Sequence, residues 1–135
     1  RPREILRAAR RFSEVVDQDP MYILREGVPR VLASFGRMLR DLGIAPGTID
    51  HFIPSVSSVQ LANRLQQRFA ERLGLRPEVW RMNFTRVGYV GSVAVPLVLD
   101  ELARADRLRP GDLVCTLAEE SSKWMCAGAV FRWNP

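Results

Sequence analysis

Sulfur, imidazole and hydroxyl groups are the side chains of this sequence best suited to catalysis or metal binding. The chain has two cysteines, Cys115 and Cys126, and one histidine, His51. Together they cannot supply the four nitrogen and sulfur ligands of a usual zinc site, so the sequence predicts no metal centre. Neither cysteine has an adjacent histidine to activate it, so we interpret both as small buried hydrophobic residues. For His51, which lies in an apolar run, we favour a partly buried structural role.

A serine-rich loop, Ser55 to Ser58, is the second candidate for chemistry. Its hydroxyl groups can donate and accept hydrogen bonds, which suits either helix capping or the binding of a polar substrate group. The sequence alone leaves these two interpretations open. Glu119, Glu120 and Lys123 could also face a site and charge it, but we favour a solvated loop because long charged side chains seldom enter cores unpaired.

Hydrophobic periodicity and turn residues predict the elements that position these groups. We expect helices over residues 4–16, 20–43, 61–73 and 92–102, and strands over residues 49–54, 79–84, 113–117 and 125–133. Pro29 should kink or split the second helix, and Gly43 and Gly74 should end the second and third helices. This order predicts an α/β fold with a mostly parallel mixed sheet, flanking helices and a final antiparallel strand.

Three loops should meet at one edge of that sheet. Ligands of open α/β sheets collect at the carboxyl ends of the strands. The loops at residues 55–58, 85–91 and 118–124 each follow a predicted strand. We therefore expect the functional site where these loops come together.

Composition excludes several classes of protein. The 135 residues carry a net charge of +5 with 47% hydrophobic residues, which predicts a soluble globular chain. The apolar run from Val93 to Leu99 is far shorter than the roughly 20 residues of a membrane-spanning helix. No signal peptide is evident at Arg1, and two cysteines do not suggest an oxidising compartment, so we expect a cytoplasmic protein with no membrane partner.

The basic residues do not form the concentrated patch that nucleic-acid binders use. All but one of the 20 basic residues are arginine, and they are spread along the chain. We therefore expect no nucleic-acid partner. The segment from Arg1 to Arg11 is the one cluster, and docking of an acidic carrier protein or a nucleic acid there is a weaker alternative to ordinary surface solvation.

Three stretches resemble one enzyme family in their order and spacing. They are Asp50 to Ser58 (DHFIPSVSS), Gly88 to Glu101 (GYVGSVAVPLVLDE) and Leu108 to Val114 (LRPGDLV). They resemble the C-terminal half of ketoacyl synthase III enzymes, which have the thiolase fold, and the similarity covers about residues 20 to 133. We therefore divide the chain into an amphipathic helix and connection over residues 1–19 and a ketoacyl synthase III-like domain over residues 20–135.

The resemblance implies a pseudo-symmetric enzyme of fatty acid or polyketide biosynthesis. In that family a cysteine of the N-terminal half is acylated from a thioester. The C-terminal half supplies His and Asn, in Pro-His-Gln-Ala-Asn and Gly-Asn-Thr-Ser motifs, which stabilise the enolate formed as carbon dioxide leaves a malonyl group. Here Ser55 stands at the position of the His and Tyr89 at that of the Asn. Neither side chain has the geometry of the group it replaces.

The resemblance also implies where substrate would lie. Ser57, Ser58 and Gly88 are expected to line the tunnel of the pantetheine arm of acyl carrier protein or CoA, with no other cofactor. Loss of both oxyanion donors favours acyl transfer without decarboxylation, which requires only a nucleophile and a base. The expected partners are an N-terminal half of the same fold and a second subunit, in a homodimer or a heterodimer. The alternative is a catalytically inactive partner of an active synthase.

Overall fold

The structure, a computed structural model, describes residues 20–120 and 125–134. The predicted helix over residues 4–16 and the segment 1–19 lie outside these residues, as do Lys123 and Trp124. Four helices are labelled in chain order: α1 (Val28–Asp41), α2 (Val59–Leu73), α3 (Phe84–Val87) and α4 (Ala94–Arg104). Three strands form the sheet: β1 (His51–Pro54), β2 (Leu113–Glu120) and β3 (Met125–Arg132).

The sheet is mixed, as predicted. β1 pairs with β2 in parallel, with Phe52 opposite Cys115, and β2 pairs with β3 in antiparallel, with Leu113 opposite Arg132. The strand order is β1-β2-β3. The α/β class and the antiparallel final strand are therefore confirmed.

The strand predicted over residues 79–84 is wrong. Trp80 alone forms an isolated parallel bridge with Phe52, and the N–H of Arg81 donates to the carbonyl of Phe52 over 2.8 Å. Pairing ends there because the next donor of the ladder would be Pro54, which has no N–H. Asn83, with φ of −118° and ψ of 10°, has also left the extended conformation just before α3 begins. The apolar character of this segment reflects the burial of Trp80 and not pairing in a continuous β-ladder.

The predicted second helix is continuous across Pro29 but not regular. A short helical turn at Pro20–Tyr22 leads into a π-helical turn at Ile23–Gly27. The N–H of Val28 donates to the carbonyl of Ile23, so the irregularity lies one turn ahead of the proline, which sits in the first turn of α1. Gly43, at φ of +66°, ends the helix as predicted.

Helix α2 begins and ends at the residues that the sequence indicates. The backbone N–H of Leu61 donates to Oγ of Ser58 over 3.1 Å, which makes Ser58 the N-cap. Gly74 at the C-cap adopts a left-handed φ of +72°, a conformation that other residues adopt at a cost. The serine loop therefore does supply a helix cap.

Replacing the cap should destabilise the protein modestly. Ser58→Ala removes the acceptor for the Leu61 N–H, and we expect the free energy of unfolding to fall by about 1 kcal/mol. Chemical denaturation monitored by circular dichroism measures this change. Ser57→Ala is the matched control, because Ser57 is exposed and should tolerate the change within about 0.5 kcal/mol. Equal losses in the two variants would contradict the assignment.

An aromatic cluster at the centre of the core joins the helices to the sheet. Phe35 of α1, Phe52 of β1 and Phe69 of α2 pack with ring centroids 5.1 to 5.5 Å apart, and Trp80 lies 4.7 Å from Phe52. On the opposite face of the sheet, α4 packs through a smaller cluster that includes Ile53. Both faces of β1 are thus buried, which fixes the loop that follows it.

Candidate functional site

The carboxyl end of β1 brings two of the three predicted loops together. The backbone N–H of Ser55 donates to the carbonyl of Leu117 in β2 over 2.7 Å. The Ser55 hydroxyl donates to the carbonyl of Gly91 over 3.1 Å. These two bonds tie the serine loop to the end of β2 on one side and to the loop before α4 on the other.

Ser55 is buried, with 7% of its surface exposed, and its one hydroxyl hydrogen is engaged by Gly91. A serine hydroxyl has a single donor. In this arrangement Ser55 therefore has no hydrogen to offer to a thioester carbonyl, and its oxygen can only accept. Ser55 thus links two loops and does not act as an oxyanion donor in this arrangement.

Tyr89, in the loop before α4, is exposed and does not pair with Ser55. Its side chain is 57% exposed, and among the described residues no hydrogen bond joins it to Ser55. Gly88, at φ of +77°, turns the backbone just before it, and Gly91, at φ of +61°, turns it again. Gly88 and Tyr89 also line a small hollow with Pro54. The two glycines thus determine the path of the backbone through this loop.

The other substrate-contact candidates have different surroundings. Ser57 is exposed, whereas Ser58 uses its oxygen as the cap of α2 and keeps its hydroxyl hydrogen free to donate. Both follow Ser55 directly on the site edge.

The solvated loop predicted for Glu119 is wrong. It lies within β2, half-buried, opposite Cys126 in the antiparallel register. Burial raises the pKa of the Glu119 carboxyl. Burial, and next the charge of Glu119, raises the pKa of the Cys126 thiol. Glu120 is also in β2, so the strand runs three residues beyond its predicted end at Leu117.

The two cysteines differ in their surroundings. Cys115 is fully buried in the core, and burial raises its thiol pKa to about 12, so its prediction as a buried hydrophobic residue is confirmed. The same prediction is wrong for Cys126, which is exposed because most residues of β3 lack a covering layer among the described residues. A raised pKa disfavours the thiolate, the form that acts as a nucleophile.

His51 lies at the other end of β1 and has a structural environment. Its Nδ1 accepts a hydrogen bond from Nε of Arg81 over 3.0 Å, so the ring hydrogen is on Nε2, which donates to Oδ2 of Asp112 over 3.0 Å. Only 6% of the residue is exposed. The structure therefore places His51 in a buried polar chain, away from the serine loop.

Asp112 should make the free energy of unfolding depend on pH in the acid range. The backbone N–H of Arg109 first, and the hydrogen bond from His51, lower its pKa below the ordinary value of 3.8. A carboxyl whose pKa is depressed by folding stabilises the protein above its unfolded pKa and loses that contribution as the pH falls through the folded pKa. We expect Asp112→Asn to flatten the loss of unfolding free energy below about pH 4, measured by denaturant titrations at several pH values.

Asp106→Asn is the matched control for that measurement. Asp106 has a positive φ of 50°, which asparagine also accepts, and its side chain is exposed. The control should keep the acid dependence of the wild type. An unchanged pH profile in Asp112→Asn would contradict the role of this carboxyl.

Two further properties concern only the residues that the structure describes. Among them, no group of three or more His, Cys, Asp or Glu side chains is arranged to hold a metal ion. No helix in this part of the chain combines the length and the apolar character needed to span a bilayer.

A mixed sheet between helices, with the loop after β1 bonded to β2 and to the loop before α4, defines a thiolase-like α/β protein. Residues 39–133 match the family model described as 3-Oxoacyl-[acyl-carrier-protein (ACP)] synthase III C terminal, and the chain belongs to that family. The resemblance found in the sequence motifs is thereby confirmed.

Individual relatives agree with this assignment. Beta-ketoacyl-[acyl-carrier-protein] synthase III of Desulfotalea psychrophila is 25% identical over 82% of this chain and 33% of its own length. The 2-heptyl-4(1H)-quinolone synthase subunit PqsC of Pseudomonas aeruginosa is 30% identical over 71% of this chain and 26% of its own length. The crystal structure of synthase III from Thermus thermophilus superposes with a TM-score of 0.73 at 25% identity, covering 87% of this chain and 35% of that one. The chain thus spans about a third of the relatives it matches.

Proposed function

We propose that this chain is the C-terminal half of a ketoacyl synthase III-like acyltransferase that acts on acyl thioesters of a carrier protein or CoA without decarboxylation. The bond from the Ser55 hydroxyl to the Gly91 carbonyl carries the proposal, because it occupies the only donor at the position of the family's His. Acyl transfer without decarboxylation requires only a nucleophile and a base. A nucleophile in the N-terminal half attacks the thioester carbonyl, the carbon–sulfur bond breaks, and the carrier thiol leaves with a proton.

A covalent adduct tests this proposal. The assembled protein that contains this chain is incubated with a panel of acyl-CoA and acyl-carrier thioesters and examined by intact-mass spectrometry. We expect a mass increase equal to one acyl group, located by peptide mapping outside residues 1–135. Absence of an adduct with every donor would overturn the proposal.

The second candidate is a catalytically inactive subunit of an active synthase. Two observations support it: the Ser55 hydroxyl donates to Gly91 and Tyr89 is exposed, and the relative PqsC is named as a subunit of a synthase. In either case we propose that the protein acts in the cytoplasm as a homodimer or heterodimer, and that the chain divides into an amphipathic helix and connection over residues 1–19 and a domain over residues 20–135. Co-purification of a chain that has an intact Cys-His-Asn set would favour this candidate, and a catalytically competent homodimer would exclude it.

An arginine-lined groove suits the acidic carrier protein that either candidate would contact. It lies between the start of α1 and the outer face of α2, with apolar residues at its base and four arginines around it: Leu24, Arg25, Val28, Pro29, Leu32, Arg64, Arg68 and Arg72. Arg68 pairs with Glu71, whereas Arg64 and Arg72 have no ion pair among the described residues. We propose that these two guanidinium groups meet carboxylates of the carrier.

Neutralising the groove should weaken carrier binding. The double variant Arg64→Gln and Arg72→Gln is expected to lose about 1 to 2 kcal/mol of binding free energy, roughly fivefold to thirtyfold in Kd, and to depend less on salt. Surface plasmon resonance with an acidic carrier protein measures both. Arg37→Gln, an exposed arginine of α1 outside the groove, is the control. Equal weakening by the control would place the docking surface elsewhere.

A further inference from the structure

A chain of polar contacts crosses the amino ends of β1 and β2, at the opposite end of the sheet from the serine loop. It begins at Arg81, whose Nη1 donates to the carbonyl of Glu78 over 2.7 Å and whose Nε donates to Nδ1 of His51 over 3.0 Å. It continues through Nε2 of His51, which donates to Oδ2 of Asp112 over 3.0 Å. The same oxygen accepts the backbone N–H of Arg109. The His51 ring therefore lies between a cation and an anion.

The contact between His51 and Arg81 requires a neutral imidazole ring. A guanidinium has donors only, so Nδ1 of His51 presents its lone pair to Arg81, and the ring hydrogen lies on Nε2. A second proton on the ring can go only to Nδ1. It would place two N–H groups face to face and would bring two positive charges within hydrogen-bond distance. Protonation of the ring therefore breaks this contact.

The contact between His51 and Asp112 depends on the ring charge in the opposite way. Asp112 accepts from Nε2, which carries a hydrogen in both charge states of the ring, and a charged donor strengthens such a bond. Two further charged groups lie near this pair: Arg109 faces Asp112, and Asp50 accepts the backbone N–H of Leu113 through Oδ2. The ring can therefore stay beside Asp112 when it is protonated, while its contact with the guanidinium is lost.

Little else holds the side chain of Arg81 in place. Within residues 20–120 and 125–134 it forms no ion pair with a carboxylate, and apart from His51 its guanidinium donates to the carbonyl of Glu78. Burial, and next the charge of Arg107, lowers the pKa of Arg81, as expected for a cation that faces another cation. Without the bond to His51, the Arg81 side chain gains by turning to solvent.

We propose that protonation of His51 in mild acid releases the side chain of Arg81, which makes His51 a pH-dependent contact between β1 and the segment that follows Pro77–Val79. At neutral pH the segment is held to β1 by this side chain and by the backbone N–H of Arg81, which donates to the carbonyl of Phe52 over 2.8 Å. In mild acid only the backbone bond remains. Histidine is the side chain whose charge ordinarily changes between pH 5 and 8.

The released segment leads towards the candidate site. It runs into α3, and α3 runs into the loop whose Gly91 carbonyl accepts the Ser55 hydroxyl. The pH-dependent contact therefore acts on the stretch of backbone that carries this loop. It does not depend on the proposed acyl transfer, because it concerns only contacts within this chain.

Nitrogen NMR of the full protein tests the proposal, because His51 is the only histidine of residues 1–135. Its ring nitrogens, assigned through the His51 backbone, should show the hydrogen on Nε2 at pH 7.5. Lowering the pH to 5 should protonate Nδ1 while Asp112 stays charged, because folding lowers the pKa of that carboxyl. The hydrogen-exchange protection of the Arg81 Nε–H, relative to the intrinsic rate at each pH, should fall about tenfold or more with the same midpoint.

Two variants separate the charge of the ring from other effects of acid. His51→Asn places a carbonyl oxygen near the position of Nδ1 that can accept from Arg81 at every pH, so the protection should stay constant between pH 7.5 and 5. Arg104→Gln removes an exposed arginine that pairs with Asp100, and it should keep the acid response of the wild type. Three results would overturn the proposal: a hydrogen on Nδ1 at pH 7.5, a ring still neutral at pH 5, or equal acid responses in the wild type and His51→Asn.

Discussion

Release of carbon dioxide from a malonyl thioester is expected to be roughly 10⁴- to 10⁶-fold slower with this protein than with a synthase III that has the His and Asn motifs. Each oxyanion donor contributes about 10² to 10³ to the rate, because it stabilises the charge that develops on the thioester oxygen. At the first position, the Ser55 hydroxyl donates to Gly91 instead. At the second, Tyr89 is 57% exposed. We therefore expect neither side chain to replace the lost stabilisation.

The measurement uses malonyl thioester labelled at the free carboxyl carbon, with release of labelled carbon dioxide as the signal. The assembled protein is compared with a synthase III that is active in the same assay. The Ser55→Ala variant of the assembled protein is the internal control. If the Ser55 hydroxyl only joins two loops, the slow residual rate of decarboxylation should change by less than about threefold. A decarboxylation rate within tenfold of the active synthase would contradict the expectation and would require donors elsewhere in the assembly.

Local signals predicted the helices better than the strands. Gly43 and Gly74 end helices as predicted, and Ser58 supplies the helix cap that was one of the two interpretations of the serine loop. The strand over residues 79–84 failed because an apolar run shows only that residues are buried. Whether such residues form a strand depends on the backbone conformation, which leaves the extended region at Asn83. Strand identity is a tertiary property at such short lengths.

The site was predictable in place but not in detail. The rule that loops gather at the carboxyl ends of parallel strands applies to the serine loop, which follows β1. The loop before α4 meets it although it follows α3 and not the strand predicted over residues 79–84. The bond from Ser55 to Gly91 joins residues 36 positions apart, and no sequence pattern specifies it. The sequence likewise did not predict that Glu119 is half-buried within a strand. Its charge suggested solvent, whereas the length of β2 and its pairing with β3 decide its burial.

Truncating the central aromatic residue should have the largest effect on stability. Phe52 is fully buried and contacts Phe35, Phe69 and Trp80 at centroid distances of 4.7 to 5.5 Å. Phe52→Ala removes the ring from three aromatic pairs and leaves a cavity that rigid neighbours cannot fill, so we expect a loss of about 3 to 5 kcal/mol. Urea denaturation followed by tryptophan fluorescence and circular dichroism measures it.

Two further variants separate this effect from the loss of any phenylalanine. Phe131→Ala removes the same atoms from a half-buried position on β3 and should cost less than half as much, while Phe52→Leu should fall between the two. A loss below about 1 kcal/mol for Phe52→Ala would contradict a core centred on this ring. Because Ser55 directly follows β1, the strand that carries Phe52, the same substitution should also disturb the serine loop. The aromatic cluster thus positions the serine loop, so a change at its centre alters the loop without replacing any of its residues.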